Sequence, residues 1–119
     1  WARKSRTGQS NVYLYFFTRV PPVANADYLG AYHAAEISYV FGNLHRRATK
    51  YTEVDCSLSK AMASYWVNFA RSGDPSGPDL PTWPTYDEEQ EAYLELGDTI
   101  KSKQQLLKRQ LDFRASLQP

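Results

Sequence analysis

One stretch, Asn-Val-Tyr-Leu-Tyr-Phe-Phe-Thr-Arg-Val from Asn11 to Val20, constrains the fold of this 119-residue chain more than any other. β-branched and aromatic residues follow one another there without polar–apolar alternation. Such a run predicts a strand covered on both faces, as in the parallel sheet of an α/β protein. Pro21 and Pro22 end it, because neither can donate to a sheet ladder. A buried strand needs neighbours on both sides. The one other strand expected is Glu91–Leu96, whose Ala92, Leu94 and Leu96 share a face. It reads as half exposed and near a sheet edge. Two strands not joined as a hairpin make no stable sheet, so the chain is expected to fold only with the rest of a larger sheet. It opens on Trp1 rather than Met, and a start inside a longer or processed protein is expected.

The loop leaving the first strand holds the residue with the most pointed chemistry, His33. Gly30 lets the backbone turn sharply ahead of it. Ala34 and Ala35 leave room beside the imidazole. Glu36 follows three residues later, then the apolar Ile37, Tyr39, Val40 and Phe41. Histidine is the side chain whose ordinary pKa lies nearest neutrality, which suits it to general-base work. A lone histidine is nonetheless more often a hydrogen-bonded structural residue than a catalyst. Its place favours chemistry, since open α/β sheets bind ligands beyond the carboxyl ends of their strands. His45, with Arg46, Arg47 and Lys50, reads as a solvated turn.

The remaining pattern is structural. Arg3–Gln9 is polar and reads as the end of a helix stopped by Gly8. Ser57 or Asp55 caps a helix running to Ser72, with Leu58, Met62, Tyr65, Trp66 and Phe69 on its core face and Gly73 and Pro75 at its end. The proline-rich stretch from Asp74 to Pro84 is a loop within one domain. Asp87-Glu88-Glu89 is an acidic turn with too few placed oxygens for a metal site. Lys101–Leu117 reads as a final amphipathic helix, with Leu107, Leu111 and Phe113 or Leu117 toward the core and Lys103, Lys108 and Arg109 outward. Cys56 stands alone, which excludes a disulfide within the chain, and reads as a small buried residue rather than a reactive thiol. A net charge of +1 gives no reason to expect nucleic acid or an anionic membrane as partner. No apolar run is long enough to span a bilayer.

Four ordered motifs carry a family resemblance. Gly30-Ala31-Tyr32-His33-Ala34-Ala35-Glu36-Ile37-Ser38-Tyr39-Val40-Phe41-Gly42 resembles the catalytic-histidine segment of type B carboxylesterases, roughly G-x-x-H-x-x-E-x-x-[FY]-V-F-G. These are the branch of the α/β-hydrolases that includes cholinesterases and bacterial para-nitrobenzyl esterases. Tyr65-Trp66-Val67-Asn68-Phe69-Ala70-Arg71-Ser72-Gly73-Asp74-Pro75 resembles the family's W-x-N-F-A-x-x-G-[DN]-P helix end. Trp83-Pro84-Thr85-Tyr86 is similar to its W-P-x-[YF] loop, and Leu111-Asp112-Phe113 lies where its last helix places an aromatic. The similarity runs from Val12 to Pro119 and matches only the family's C-terminal part.

The resemblance implies an α/β fold: the C-terminal portion of an α/β-hydrolase, with central strands and flanking helices of a larger sheet. Residues 1–119 would then be one C-terminal segment of a single domain. It implies a serine carboxylic-ester hydrolase, with His33 as catalytic histidine, a small-molecule ester as substrate, and neither metal nor organic cofactor. Serine and acid precede histidine in this family, and the chain has no G-x-S-x-G elbow or Gly-Gly run for an oxyanion hole. The expected partner is therefore the remainder of the same domain, as part of one chain or as a separate chain left by cleavage. Glu36 matches a motif glutamate and is expected to hydrogen-bond and fix the loop. Tyr32 and Leu29 are candidates to shape the ester pocket. Secreted animal cholinesterases place a disulfide cysteine near the last helix, and its absence here favours a microbial-type esterase. The alternative is a cholinesterase-like binding or adhesion domain that keeps the fold without catalysis. A free-standing interaction module is a third reading, opposed by the unpaired buried strand.

Overall fold

A computed structural model describes residues 10–46 and 48–117, and the expected helix end at Arg3–Gln9 lies outside them. Three strands form one sheet in the order β1 (Tyr15–Phe17), β2 (Ala92–Leu96), β3 (Ile100–Gln104). β1 and β2 are parallel, with Tyr15 opposite Leu94 and Phe17 opposite Leu96. β2 and β3 are an antiparallel hairpin, with Leu96 opposite Ile100. Between β1 and β2 lie two single-turn helices, α1 (Ala26–Leu29) and α2 (Ile37–Val40), a 3₁₀ turn at Leu44–Arg46 and the long helix α3 (Glu53–Ser72). α4 (Lys108–Ser116) follows the hairpin.

The core lies between one face of the sheet and α3. Leu58, Met62 and Tyr65 recur at helical spacing and are buried against Leu94, Leu96, Tyr39, Leu44 and Trp83. Tyr15 and Phe17 of β1 pack onto this cluster, while Phe16 between them points the other way and is 38% exposed. Trp83 is the hub of an aromatic cluster. Its ring meets Tyr65 at 5.2 Å, Trp66 at 5.6 Å and Tyr15 at 6.0 Å between centroids. Its indole N–H donates to the Leu14 carbonyl at 3.0 Å, so the Trp-Pro loop is tied to the first strand segment. The Asn68 amide donates to the Pro75 and Ser76 carbonyls at 3.2 Å each, which folds the loop after α3 back on the helix.

Four expectations change. The extended segment is real, but its regular pairing is limited to three residues. The Val12 carbonyl accepts from the Tyr86 N–H, and Tyr13 bridges Thr85 instead of β2. Among the described residues β1 pairs only with β2, so its other edge stays unpaired. β2 is central and buried, not a half-exposed edge. The reason is β3: Lys101 to Gln104, expected as the start of a helix, instead join Ile100 in a strand that closes a hairpin through Gly97, Asp98 and Thr99. A Cβ at Gly97 would fall 2.4 Å from the Thr18 hydroxyl, so any larger residue there would have to displace that side chain. The final helix is accordingly shorter, Lys108–Ser116, and Leu107, Leu111, Phe113 and Leu117 are exposed rather than core-facing. Finally, Thr52 caps α3, and Asp55 closes a capping box from its third position.

Leu94 is fully buried at the centre of the sheet. Leu94→Ala is expected to destabilise the protein that carries this segment by about 2–5 kcal/mol, read from the guanidinium unfolding midpoint. A midpoint unchanged from wild type would mean that the sheet–helix interface is not the core.

Candidate functional site

The segment bearing His33 leaves the carboxyl end of β1 and returns at α2. Asn25 (φ +63°) opens α1, and the Gly30 N–H closes that turn on the Ala26 carbonyl at 2.8 Å. Gly30 itself sits at φ +58°, ψ −148°, a conformation essentially closed to residues with a Cβ. His33 follows, exposed, at the start of a turn that continues to Glu36. The turn is held by backbone bonds: Ala35 N–H to the Tyr32 carbonyl (3.1 Å) and Ile37 N–H to the Ala34 carbonyl (3.3 Å). Ala34 takes φ +68° and Ala35 is buried, while His33 beside them is exposed. Tyr32 is half-buried and Leu29 exposed. The Glu36 side chain does not cap α2. Its charge is felt at the strand: burial first, and then the Glu36 carboxylate, raise the Tyr15 hydroxyl above the ordinary tyrosine pKa.

Below this loop sits a group with no exposed surface at all, the Asp55 carboxylate. Its Oδ1 accepts from Arg19 Nε and from the Tyr39 hydroxyl, both at 2.7 Å. Its Oδ2 accepts from the Thr52 backbone N–H and hydroxyl, both at 2.7 Å, and from Arg19 Nη2 at 3.1 Å. Arg19 also reaches Asp98 Oδ1 at 2.7 Å. Burial alone would raise the Asp55 pKa, but the bonds from Arg19, Thr52 and Tyr39 outweigh it and hold the carboxyl far below its ordinary range. The same contacts hold the Arg19 guanidinium protonated. Burial, and then the bond to Asp55, push the Tyr39 hydroxyl well up.

Sequence reasoning singled out His33 and did not anticipate this network. Thr-x-x-Asp is a capping signature, so Thr52 and Asp55 were open to discovery. Arg19 and Tyr39 carry no such local mark, since their partner lies in another element. Cys56, expected to be buried, is exposed on the first turn of α3. His45 and Lys50 are exposed, as a solvated turn requires, and Arg47 lies outside the described residues. Trp66 packs on the core, but Phe69, expected there too, is 49% exposed. With Tyr13, Tyr15, Tyr65, Trp66, Pro75 and Trp83, it lines an apolar cleft of about 170 Å³ that does not include His33. No cluster of three or more metal-ligating side chains occurs among the described residues, and no helix there is long and apolar enough to cross a membrane.

A profile of the carboxylesterase family matches residues 1–114. Carboxylesterase 5A of Mus musculus is 39% identical over 94% of this chain and 21% of its own length. The medium-chain fatty acyl-CoA hydrolase precursor of Anas platyrhynchos is 39% identical over 94% of this chain and 20% of its own. Among solved structures, the carboxylesterase EST55 of Geobacillus stearothermophilus superposes with a TM-score of 0.72 at 32% identity, over 91% of this chain and 22% of that one. The chain thus spans about a fifth of the length of these relatives. They are animal as well as bacterial, so they give the missing cysteine no weight in either direction.

The depressed Asp55 pKa fixes a pH dependence. The stability that Asp55 contributes is fully present above the unfolded-state value of about 4 and is lost progressively as pH falls from there through the lowered folded-state value. The melting temperature of wild type is therefore expected to fall more steeply than that of Asp55→Asn between about pH 5 and pH 2. Parallel acid limbs would show that Asp55 gains nothing from being ionised in the fold.

Proposed function

This chain belongs to the carboxylesterase family, and from that premise we propose that it is the C-terminal segment of one α/β-hydrolase domain that cleaves carboxylic esters through an acyl-enzyme, with His33 as general base. One observation carries the assignment of His33: an exposed imidazole on a turn of small residues, in the loop that leaves the carboxyl end of a parallel strand. Its place in the motif Gly30–Gly42 supports the same role.

The chemistry divides between this segment and the rest of the domain. The chain contains no G-x-S-x-G, so the nucleophilic serine, the acid that orients the imidazole and the oxyanion hole come from the remainder. Neutral His33 accepts the serine proton as the oxygen attacks the ester carbonyl. The imidazolium then gives that proton to the departing alcohol. Water repeats the cycle on the acyl-enzyme and frees the acid. The exposure of His33 gives serine and substrate access to the ring. Tyr32 and Leu29, on either side of Gly30, are placed to border the ester. The substrate is a small carboxylic ester, and no cofactor enters the cycle.

His33→Ala is expected to lower kcat for a short aryl ester by roughly three orders of magnitude or more in the protein that carries this segment. The melting temperature should stay near wild type, because the side chain is exposed. Near-wild-type turnover would remove His33 from the mechanism, and a wild type without any turnover would favour the non-catalytic binding domain.

A further inference from the structure

We propose that Asp55 is a positioning residue for His33, its carboxylate pinning both ends of the segment that carries the histidine. The inference rests on the general-base reading of His33. Arg19 stands just before that segment and Tyr39 just after it, and both donate to the same oxygen, Oδ1, at 2.7 Å. Residues 20–38 therefore form a loop whose two ends meet at one atom. The other oxygen is clamped by the Thr52 N–H and hydroxyl at 2.7 Å each, so the carboxylate cannot rotate away. Its base is rigid, because α3 packs on the sheet along its buried face.

The outward part of the loop buries little: α1 buries no residue, and Val20, Pro22, Ala24 and Asn25 are exposed, whereas Pro21 is buried at the departing end and Ala35 and Ser38 at the returning end. The returning end is also tied by the Ser59 hydroxyl, which donates to the Tyr39 carbonyl at 2.8 Å, and by the Tyr39 ring, which packs edge-on against Phe17 and Tyr51. The departing end has another tie, from Arg19 to Asp98 in the hairpin loop after β2. The position of His33 thus depends on where the two ends of its loop are anchored. General-base catalysis tolerates little displacement of the base, so a loosened anchor lowers turnover without touching the ester pocket.

The test compares Tyr39→Phe and Asp55→Asn with wild type in the full protein that carries this segment, well below their melting temperatures. Tyr39→Phe removes one hydroxyl and leaves the Arg19–Asp55 pair, so it decides the matter if Asp55→Asn does not fold. With a short aryl ester, kcat is expected to fall roughly ten- to a hundredfold while KM stays within about twofold. Amide hydrogen exchange of residues 30–38 should quicken by about tenfold or more. A lowered melting temperature with kcat unchanged would make Asp55 structural only and overturn the proposal. If His33→Ala keeps its turnover, the general-base reading fails separately. The exchange rates then still judge the anchor, and unchanged exchange in Tyr39→Phe would sink it.

Discussion

The parallel contact between β1 and β2 is the constraint on which the rest of this structure depends. Antiparallel neighbours can be joined by a tight turn, but parallel ones need a crossover long enough to return the chain to its starting end. Tyr15 lies opposite Leu94, so everything between them is crossover. The histidine loop, α2, α3 and the Trp83 loop all occupy that connection. α3 does the return journey and covers one sheet face. The histidine loop departs at the strand's carboxyl end, where the hairpin after β2 also begins. Fold and site are therefore consequences of one pairing, and Trp83 secures it by donating to the Leu14 carbonyl at the strand's entrance.

A buried carboxylate sits where these pieces converge, and its setting explains why a charge is tolerated there. Removing a carboxylate from water is costly, and burial without partners would neutralise it. Asp55 meets an arginine, a tyrosine hydroxyl and its own capping threonine, so both oxygens are satisfied. An apolar residue in its place would fill the volume but join nothing. Strand end, helix start and α2 meet through directional bonds, which specify an arrangement that hydrophobic contact alone would leave loose.

The sequence was most legible where structure is local. The core stripe Leu58, Met62 and Tyr65 shows its helical period directly, and Gly73 marks where the helix ends. His33 stood out because its neighbours are small and its loop follows an apolar run. The errors came where a distant partner decides. Ile100-Lys101-Ser102-Lys103-Gln104 has no strong strand composition, and it is a strand because β2 offers a free edge beside it. Missing β3 made β2 look like an edge. The leucines of α4 have helical spacing, but spacing says which residues share a face and not whether another surface meets it. Arg19 and Tyr39 were invisible for the same reason, since each acquires its role only through Asp55.

The two outer edges of the sheet differ in kind. β3 presents Lys101 and Lys103 to solvent, with Lys103 held at 2.6 Å by Glu95 across the hairpin. Charges of that sort repel an incoming strand and guard an edge against fortuitous pairing. β1 has no such guard: Tyr15, Phe16 and Phe17 are aromatic, and Phe16 faces outward. The two edges are therefore not equivalent: the lysine side opposes an added strand, and the aromatic side carries no charge that would do so.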